Sequence, residues 1–231
     1  MTPGTWTHRT GTTALAAVAV AALAVPAGAE AAVGAPAPAP AATTAATAPA
    51  VSAPAPATTA PAATASGKVD HATWQRDCQA VMDQALPYLK QRIAHGAPGE
   101  KRAVVFDVDN TTLETDFGFT WPQPANKPVL EVARYAQEHG VALFFVTARP
   151  GIVKAPTRYN LEHDGYRVDG LAVRGLFDLF KNVADYKTAQ RAGIEADGYT
   201  IIANIGNSAT DLSGGHAERT FKLPDYDGQL S

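Results

Sequence analysis

One stretch decides the fold of this chain: Ala103–Leu113, AVVFDVDNTTL. Its first four residues are apolar or β-branched, which predicts a short buried strand. Two carboxylates, Asp107 and Asp109, follow at once. In an open α/β sheet the loop after a central strand lies at the carboxyl edge, where ligands bind. Carboxylates this close repel each other, so the pattern also favours a hard cation with oxygen ligands between them.

Two interpretations of this stretch are open. In the structural one, the two acids shape a turn and Asn110 or Thr111 caps a helix. In the functional one, an apolar strand ending in DxDxT resembles the first motif of the haloacid dehalogenase (HAD) superfamily of aspartate-nucleophile phosphohydrolases. That resemblance implies that Asp107 attacks phosphorus and that Asp109 acts as the general acid and base.

Composition restricts the classes of function. The 231 residues carry 22 acidic and 19 basic side chains, a net charge of −3, so the overall charge gives no electrostatic reason to expect binding to nucleic acid polymers or anionic membranes. Substrate charge must therefore be handled locally. Cys78 is the single cysteine, which excludes an internal disulfide and a cysteine-cluster metal site, and we expect it to be a buried apolar residue.

The amino-terminal part has the pattern of an exported protein. Residues 1–29 resemble a cleavable signal peptide, with an apolar run at Ala14–Val25 that is shorter than the roughly 20 residues needed to span a bilayer. Residues 30–67 are rich in Ala, Pro and Thr, which predicts a disordered linker that holds the folded part near a cell surface or wall. We therefore expect a secreted protein without stable membrane insertion, folded over residues 68–231. The sequence carries no signal for an oligomeric state.

Helix-like and strand-like patterns alternate through the folded part, which is typical of an α/β fold. The resemblance implies a three-layer, doubly wound parallel sheet of the HAD-like, Rossmannoid type with a small cap segment. The predicted helices are an α-helix capped by Asp70 and kinked at Pro87, Pro128–His139, Ile152–His163 interrupted at Pro156, and Asn182–Ala192. The predicted strands are Ala103–Phe106, Val141–Val146, Leu171–Val173 and Gly198–Ala203.

The segment Glu114–Lys127, which follows the first motif, is the predicted cap. It carries Phe117, Phe119 and Trp121 at spacings of two. These aromatic side chains either stack on the leaving group of a substrate or fill the hydrophobic core. The sequence leaves both alternatives open.

Further motifs of the family follow in order. The second predicted central strand ends in Thr147, whose hydroxyl the resemblance assigns to a phosphate oxygen, and Arg149 lies two residues on, where a guanidinium can bind phosphate. Lys187, in the stretch DYKTAQR, is identified as the lysine of the third motif, ahead of Lys181 and Lys222. Its ammonium group would neutralise both the nucleophile and the incoming phosphate.

The fourth motif of the family is typically Gly-Asp-x-x-x-Asp, and this chain has Asn207 in place of the first acid and Asp211 as the second. The resemblance implies Mg²⁺ bound by Asp107, the backbone carbonyl of Asp109, Asn207 and Asp211. An amide oxygen can bind Mg²⁺ but lacks a full negative charge, so we expect weaker metal binding. In the structural alternative Asn207 only caps the following turn.

The stretches YK, TxxR, GYxIxxNIG and DLxGG together resemble the secreted class B-type (subfamily IIIB) acid phosphatases. The resemblance implies Mg²⁺-dependent hydrolysis of a small phosphomonoester through an aspartyl-phosphate. Two alternatives remain. One is a nucleotidase or phosphotransferase that uses the same site, and the other is a non-catalytic phosphate-binding or storage-like protein, which Asn207 favours.

Overall fold

The computed structural model describes residues 69–230. The predicted signal peptide (1–29) and linker (30–67) lie outside the described residues. Across the residues that are described, no helix combines the length and the apolar character needed to cross a membrane.

Helices and strands alternate along the described chain. The helices are α1 (His71–Ala94), α2 (Lys127–Glu138), α3 (Lys154–His163), α4 (Val183–Ala196) and α5 (Ala209–Leu212). The strands are β1 (Lys101–Phe106), β2 (Ala142–Pro150), β3 (Gly170–Arg174), β4 (Tyr199–Gly206) and β5 (Thr220–Lys222). Short 3₁₀ turns at Gly151–Val153 and Asp178–Phe180 follow β2 and β3.

All five strands are parallel and lie in the order β3-β2-β1-β4-β5. The chain proceeds outward from β1 through β2 to β3 and then returns to the other side of β1 as β4. The carboxyl ends of β1 and β4 are therefore a topological switch point, where connections leave in opposite directions and a crevice forms. The predicted doubly wound parallel sheet is confirmed.

Side chains of strand β1 pack in the hydrophobic core on both faces of the sheet. Val104 and Phe106 pack in the larger cluster, with side chains of α1 and α2, whereas Val105 packs in a second cluster with Tyr186 and Ile194 of α4. This alternation follows from the two-residue period of a strand. Full burial of each such side chain stabilises the fold by roughly 1.5–3 kcal/mol, which keeps the strand that carries Asp107 fixed.

Element boundaries differ from the predictions where polar residues continue an apolar run. Strand β2 extends to Pro150 because its pairing with β3 continues beyond the apolar residues. Pro156 does not interrupt α3: it lies in the first turn, where a backbone N–H has no helical partner to lose. Helix α5 and strand β5 were not predicted, since each has fewer than five residues.

Candidate active site

A cavity of about 470 Å³ opens at the carboxyl edge of the sheet, at the switch point between β1 and β4. Six of the seven predicted site residues line it: Asp107, Asp109, Arg149, Lys187, Asn207 and Asp211. The seventh, Thr147, is fully buried within β2, and its hydroxyl lies 3.5 Å from a carboxylate oxygen of Asp109. The structure thus brings together side chains from the loop after β1, from β2 and α4, from the loop after β4 and from α5.

Lys187 joins the two buried carboxylates of the cavity. Its Nζ lies 2.6 Å from Oδ1 of Asp107 and 2.5 Å from Oδ1 of Asp211, and all three side chains are buried. Burial raises the pKa of Asp107, and the nearby charge of Asp211 acts in the same direction. Burial alone would lower the pKa of Lys187, but the two carboxylates outweigh it and raise that pKa. The ammonium group is therefore held in its charged form.

The two competing lysines do not reach these carboxylates. Lys181 is exposed and pairs with Asp178. Lys222 donates to the backbone carbonyl of Asn207 and pairs with Asp225 at 3.0 Å. Of the three candidates, only Lys187 contacts Asp107 and Asp211.

Helix α4 holds Asp211 through two of its residues. Lys187 and Arg191 are four residues apart, so they lie on the same face of the helix. Lys187 binds the carboxylate of Asp211, and the fully buried Arg191 donates to its backbone carbonyl at 2.7 Å. This arrangement gives a physical reason for the Lys-Thr-x-x-Arg pattern.

Strand β4 and α5 supply the other contacts of Asp211. The backbone N–H of Ser208 donates to Oδ2 of Asp211 at 2.8 Å, in a capping box at the start of α5. Gly206 is required here because a Cβ atom at that position would overlap the Cβ of Asp211. The cap of α5 is Ser208, so the structural alternative for Asn207 as a cap is wrong.

Asp109 is held mainly by Arg149. The guanidinium donates from Nη2 to Oδ1 at 2.7 Å and from Nε to Oδ2 at 3.0 Å, and Thr115 donates its hydroxyl to Oδ1 at 2.9 Å. Burial raises the pKa of Asp109, but the hydrogen bonds from Arg149 and Thr115 outweigh burial and set the pKa below its usual value. The Asp109 carboxylate is therefore ionised, and it lines the cavity together with the guanidinium of Arg149.

Three residues that sequence reasoning missed position this pair. Thr115 bonds Asp109, while Gln123 Oε1 and Thr157 Oγ1 accept from Arg149 at 2.9 and 3.1 Å. Gln123 is fixed in turn by Asn160, which bonds both its backbone N–H and its carbonyl. Only Thr115 had a signal in the sequence, since it lies four residues beyond the last residue of the DxDxT motif, Thr111.

The loop after β1 turns sharply and starts no helix. Asn110 has φ of 51°, and its side chain accepts from the backbone N–H of Asp116 at 3.0 Å. The next helix, α2, begins only at Lys127. The structural alternative in which Asn110 or Thr111 caps a helix is therefore wrong.

The three aromatic residues of the cap segment divide between the core and the surface. Phe117 stacks on the buried Trp74 with ring centroids 4.5 Å apart, so it fills the core. Phe119 and Trp121 are exposed and line a second cleft of about 530 Å³. Arg149 lines both this aromatic cleft and the catalytic cavity, so the two adjoin.

The donor chemistry of the cavity fits a hard divalent cation. Asp107 and Asp211 offer carboxylate oxygens, and Asn207 offers an amide oxygen that accepts from Thr111 at 3.2 Å. The amide nitrogen of Asn207 donates to the carbonyl of Leu230 at 2.5 Å. In residues 69–230 no group of three His, Cys, Asp or Glu side chains is placed to hold a metal. A bound metal would therefore depend on amide, carbonyl and water oxygens besides carboxylates.

The family model of HAD superfamily, subfamily IIIB (acid phosphatase) matches residues 32–123 and 120–229. The chain belongs to this family. It is thus a phosphomonoesterase of the HAD superfamily, whose phosphatases generally use a divalent metal.

Known relatives of this HAD acid phosphatase include plant proteins. It is 30% identical over 176 residues to the stem 28 kDa glycoprotein of Glycine max, covering 66% of this chain and 68% of that one. It is 26% identical over 174 residues to acid phosphatase 1 of Solanum lycopersicum, covering 66% and 68%. The class C acid phosphatase from Bacillus anthracis has the same fold, with a TM-score of 0.54 and 15% identity over 68% of this chain and 80% of that one.

Proposed function

We propose that this HAD acid phosphatase is secreted, depends on Mg²⁺ and hydrolyses small phosphomonoesters through an aspartyl-phosphate on Asp107. The observation that carries the proposal is the contact of 2.6 Å between Asp107 and Lys187 at the carboxyl edge of the sheet. A carboxylate beside a fixed ammonium group can accept an anionic phosphate, which a carboxylate alone would repel.

Two chemical steps follow from this geometry. In the first, a carboxylate oxygen of Asp107 attacks phosphorus and the bond from phosphorus to the ester oxygen breaks. Asp109, which takes up a proton from solvent once Arg149 has moved to the phosphate, gives that proton to the ester oxygen. In the second, Asp109 takes a proton from water, whose oxygen attacks phosphorus and displaces the carboxylate of Asp107. Lys187 stays beside the reacting oxygens throughout and stabilises their negative charge.

Arg149 connects substrate binding to the acid role of Asp109. Its guanidinium is paired with Asp109. A phosphate in the cavity offers a competing dianion, and guanidinium binds phosphate oxygens in a bidentate manner. Transfer of Arg149 toward phosphate would leave Asp109 free to carry the proton for the leaving group.

Mg²⁺ would be held by Asp107, the backbone carbonyl of Asp109, Asn207, Asp211 and water. When bound, it neutralises charge between the nucleophile and the phosphate. The two carboxylates and the amide oxygen at one cavity support this assignment, as does the use of a divalent metal by the superfamily.

Removal of metal tests this proposal directly. We expect EDTA to lower hydrolysis of an aryl phosphate by about 10²-fold or more and added Mg²⁺ to restore it. Without the metal, the repulsion between the carboxylate of Asp107 and the substrate phosphate is not compensated. A colorimetric assay measures both. Full activity in EDTA would contradict the metal dependence, and no activity under either condition would favour the storage-like alternative.

Asn207→Asp gives a second test. We expect the added charge to lower the Mg²⁺ concentration for half-maximal activity about tenfold, and the lost donor to Leu230 to cost about 1 kcal/mol of the free energy of unfolding. Activity against Mg²⁺ concentration and thermal unfolding in EDTA measure the two effects. Asn182→Asp is the matched control because it adds the same charge at the exposed cap of α4. Unchanged metal dependence would remove Asn207 as a ligand.

Secretion is supported by the signal-like residues 1–29 and by a plant relative that is named a glycoprotein. Amino-terminal sequencing of the protein from culture medium tests it. A start near Glu30 is expected.

The aromatic cleft favours one second candidate, a nucleotidase. Trp121 and Tyr159 are stacked with ring centroids 6.4 Å apart, and the cleft adjoins the catalytic cavity at Arg149. Exposed aromatic rings can stack on a nucleobase. The ratio of kcat/KM for nucleoside monophosphates to that for an aryl phosphate distinguishes the two functions, and acceptor alcohols test for phosphotransfer.

A further inference from the structure

The exposed apolar side chains of this protein are concentrated on one edge. In residues 69–230 eight large hydrophobic residues are exposed, and all of them lie in the segments 119–121, 152–159 and 176–180, which follow β1, β2 and β3. Three of the eight belong to the aromatic cleft or stack on it. The other five form what we name the apolar rim: Ile152, Leu176, Phe177, Leu179 and Phe180. Contiguous exposed apolar surface usually marks an interaction site.

The two segments of the apolar rim are neighbours in space. A Cβ atom on Gly151 would lie 3.5 Å from the carbonyl oxygen of Arg174. Lys154 lines the same groove as Gly175 and Asp178. The two segments are therefore neighbours at the carboxyl edge of the sheet, the edge at which the catalytic cavity opens.

The loop of the rim is held with its apolar side chains outward. Arg174 donates to the backbone carbonyls of Asp178 at 2.6 Å and Lys181 at 2.7 Å. The carboxylate of Asp178 accepts from the backbone N–H of Gly175 at 3.1 Å. Phe177 and Phe180 are 83% and 86% exposed in this turn.

The charge of the rim is opposite to that of the whole chain. Segments 150–157 and 174–181 contain three cations, Lys154, Arg174 and Lys181, and a single acid, Asp178, whereas the chain carries a net charge of −3. Lys181 pairs with Asp178 at 2.8 Å, so the segments keep a net positive charge through Lys154 and Arg174. Lys154 is exposed and makes no ion pair with any acid of the described residues. Aromatic and aliphatic side chains flanked by Lys and Arg are the composition of surfaces that adsorb to anionic lipid.

We propose that the apolar rim docks on an anionic lipid surface, with Phe177 and Phe180 entering the interface and the lysines meeting lipid phosphates. Docking would be peripheral and would turn the catalytic cavity toward the lipid. This inference goes beyond the proposed reaction and does not depend on it.

Vesicle flotation tests the proposal with the full chain. Vesicles contain phosphatidylcholine alone or with about one third phosphatidylglycerol. We expect the wild-type chain to bind the anionic vesicles more strongly than the neutral ones. The double substitution Phe177→Ser with Phe180→Ser should lower its partition coefficient about tenfold or more, because two aromatic side chains that would enter the lipid interface are lost. The apolar run Ala14–Val25 is common to both proteins, so their difference isolates the rim.

Charge variants complete the test. Lys154→Gln with Lys181→Gln should weaken binding to anionic vesicles several-fold at low salt, whereas Arg76→Gln with Lys90→Gln, which removes the same charge from α1, should not. Equal flotation of the phenylalanine variant would overturn the proposal. Association of the wild-type chain without vesicles, abolished in that variant, would also overturn it and identify an interface between copies. Hydrolysis of a soluble aryl phosphate by the variant reports on the reaction separately.

Discussion

Asp107→Asn should lower the turnover of an aryl phosphate by at least about 10³-fold while the protein stays folded. The amide has nearly the shape of the carboxylate but cannot form the acyl-phosphate bond. Lys187 keeps its contact with Asp211, so no buried cation is left without a partner. Steady-state kinetics measure the loss, and circular dichroism checks the fold.

The same variant has a distinct stability profile in EDTA. Burial raises the pKa of Asp107 above 3.8 in the folded state, so the folded protein holds this proton more tightly than the unfolded chain. Wild-type stability from this group is therefore present at low pH and is lost as pH rises from the unfolded pKa through the raised folded pKa. Because an amide does not ionise, the stability of Asp107→Asn does not fall over this pH range. Its free energy of unfolding at neutral pH should equal or exceed that of wild type.

Asp83→Asn, on the surface of α1, is the control for the chemical change from carboxylate to amide. It should leave both turnover and stability close to wild type. Turnover near wild type in Asp107→Asn would remove this residue as the nucleophile.

The convergence of the site residues could be predicted because it depends on the topology of the sheet more than on individual side-chain contacts. Asp107, Thr147 and Asp211 are far apart in sequence, but Asp107 directly follows β1, Thr147 lies in the last part of β2 and Asp211 lies in α5, the element that follows β4. Parallel strands bring their carboxyl ends to one edge, so motif order is enough to predict their convergence. The Lys-Thr-x-x-Arg pattern distinguishes Lys187 from the other two lysines, and in the structure both Lys187 and Arg191 contact Asp211.

The partners of Asp109 and Asn207 were not predictable in the same way. Gln123 accepts from Arg149 and lies in the irregular cap segment. This segment has no regular secondary structure, so no hydrophobic periodicity in the sequence indicates where its side chains point. Asn207 bonds the carbonyl of Leu230 across 23 positions. A backbone carbonyl is available at every residue, so neither composition nor spacing indicates which one an amide will meet.

Lys187→Ala is expected to give the largest loss of stability. It leaves Asp107 and Asp211 facing each other in a buried site without the cation that both now contact within 2.6 Å. Breaking a buried ion pair by removing one partner typically costs about 3–5 kcal/mol, and two like charges at one site add repulsion. We expect a loss of that order in EDTA, and turnover lower by about 10²–10³-fold. Chemical denaturation and the aryl phosphate assay measure the two.

Lys181→Ala is the matched control, because that lysine is exposed and its ion pair with Asp178 should contribute less than about 1 kcal/mol. A second change separates charge from packing. Adding Asp211→Asn to Lys187→Ala removes one of the two unpaired carboxylates, so stability should partly recover while turnover stays low. If Lys187→Ala unfolds at the same denaturant concentration as wild type in EDTA, the ammonium group does not hold these carboxylates together. The low turnover would then have to arise from phosphate binding alone, because the nucleophile would keep its position without the lysine.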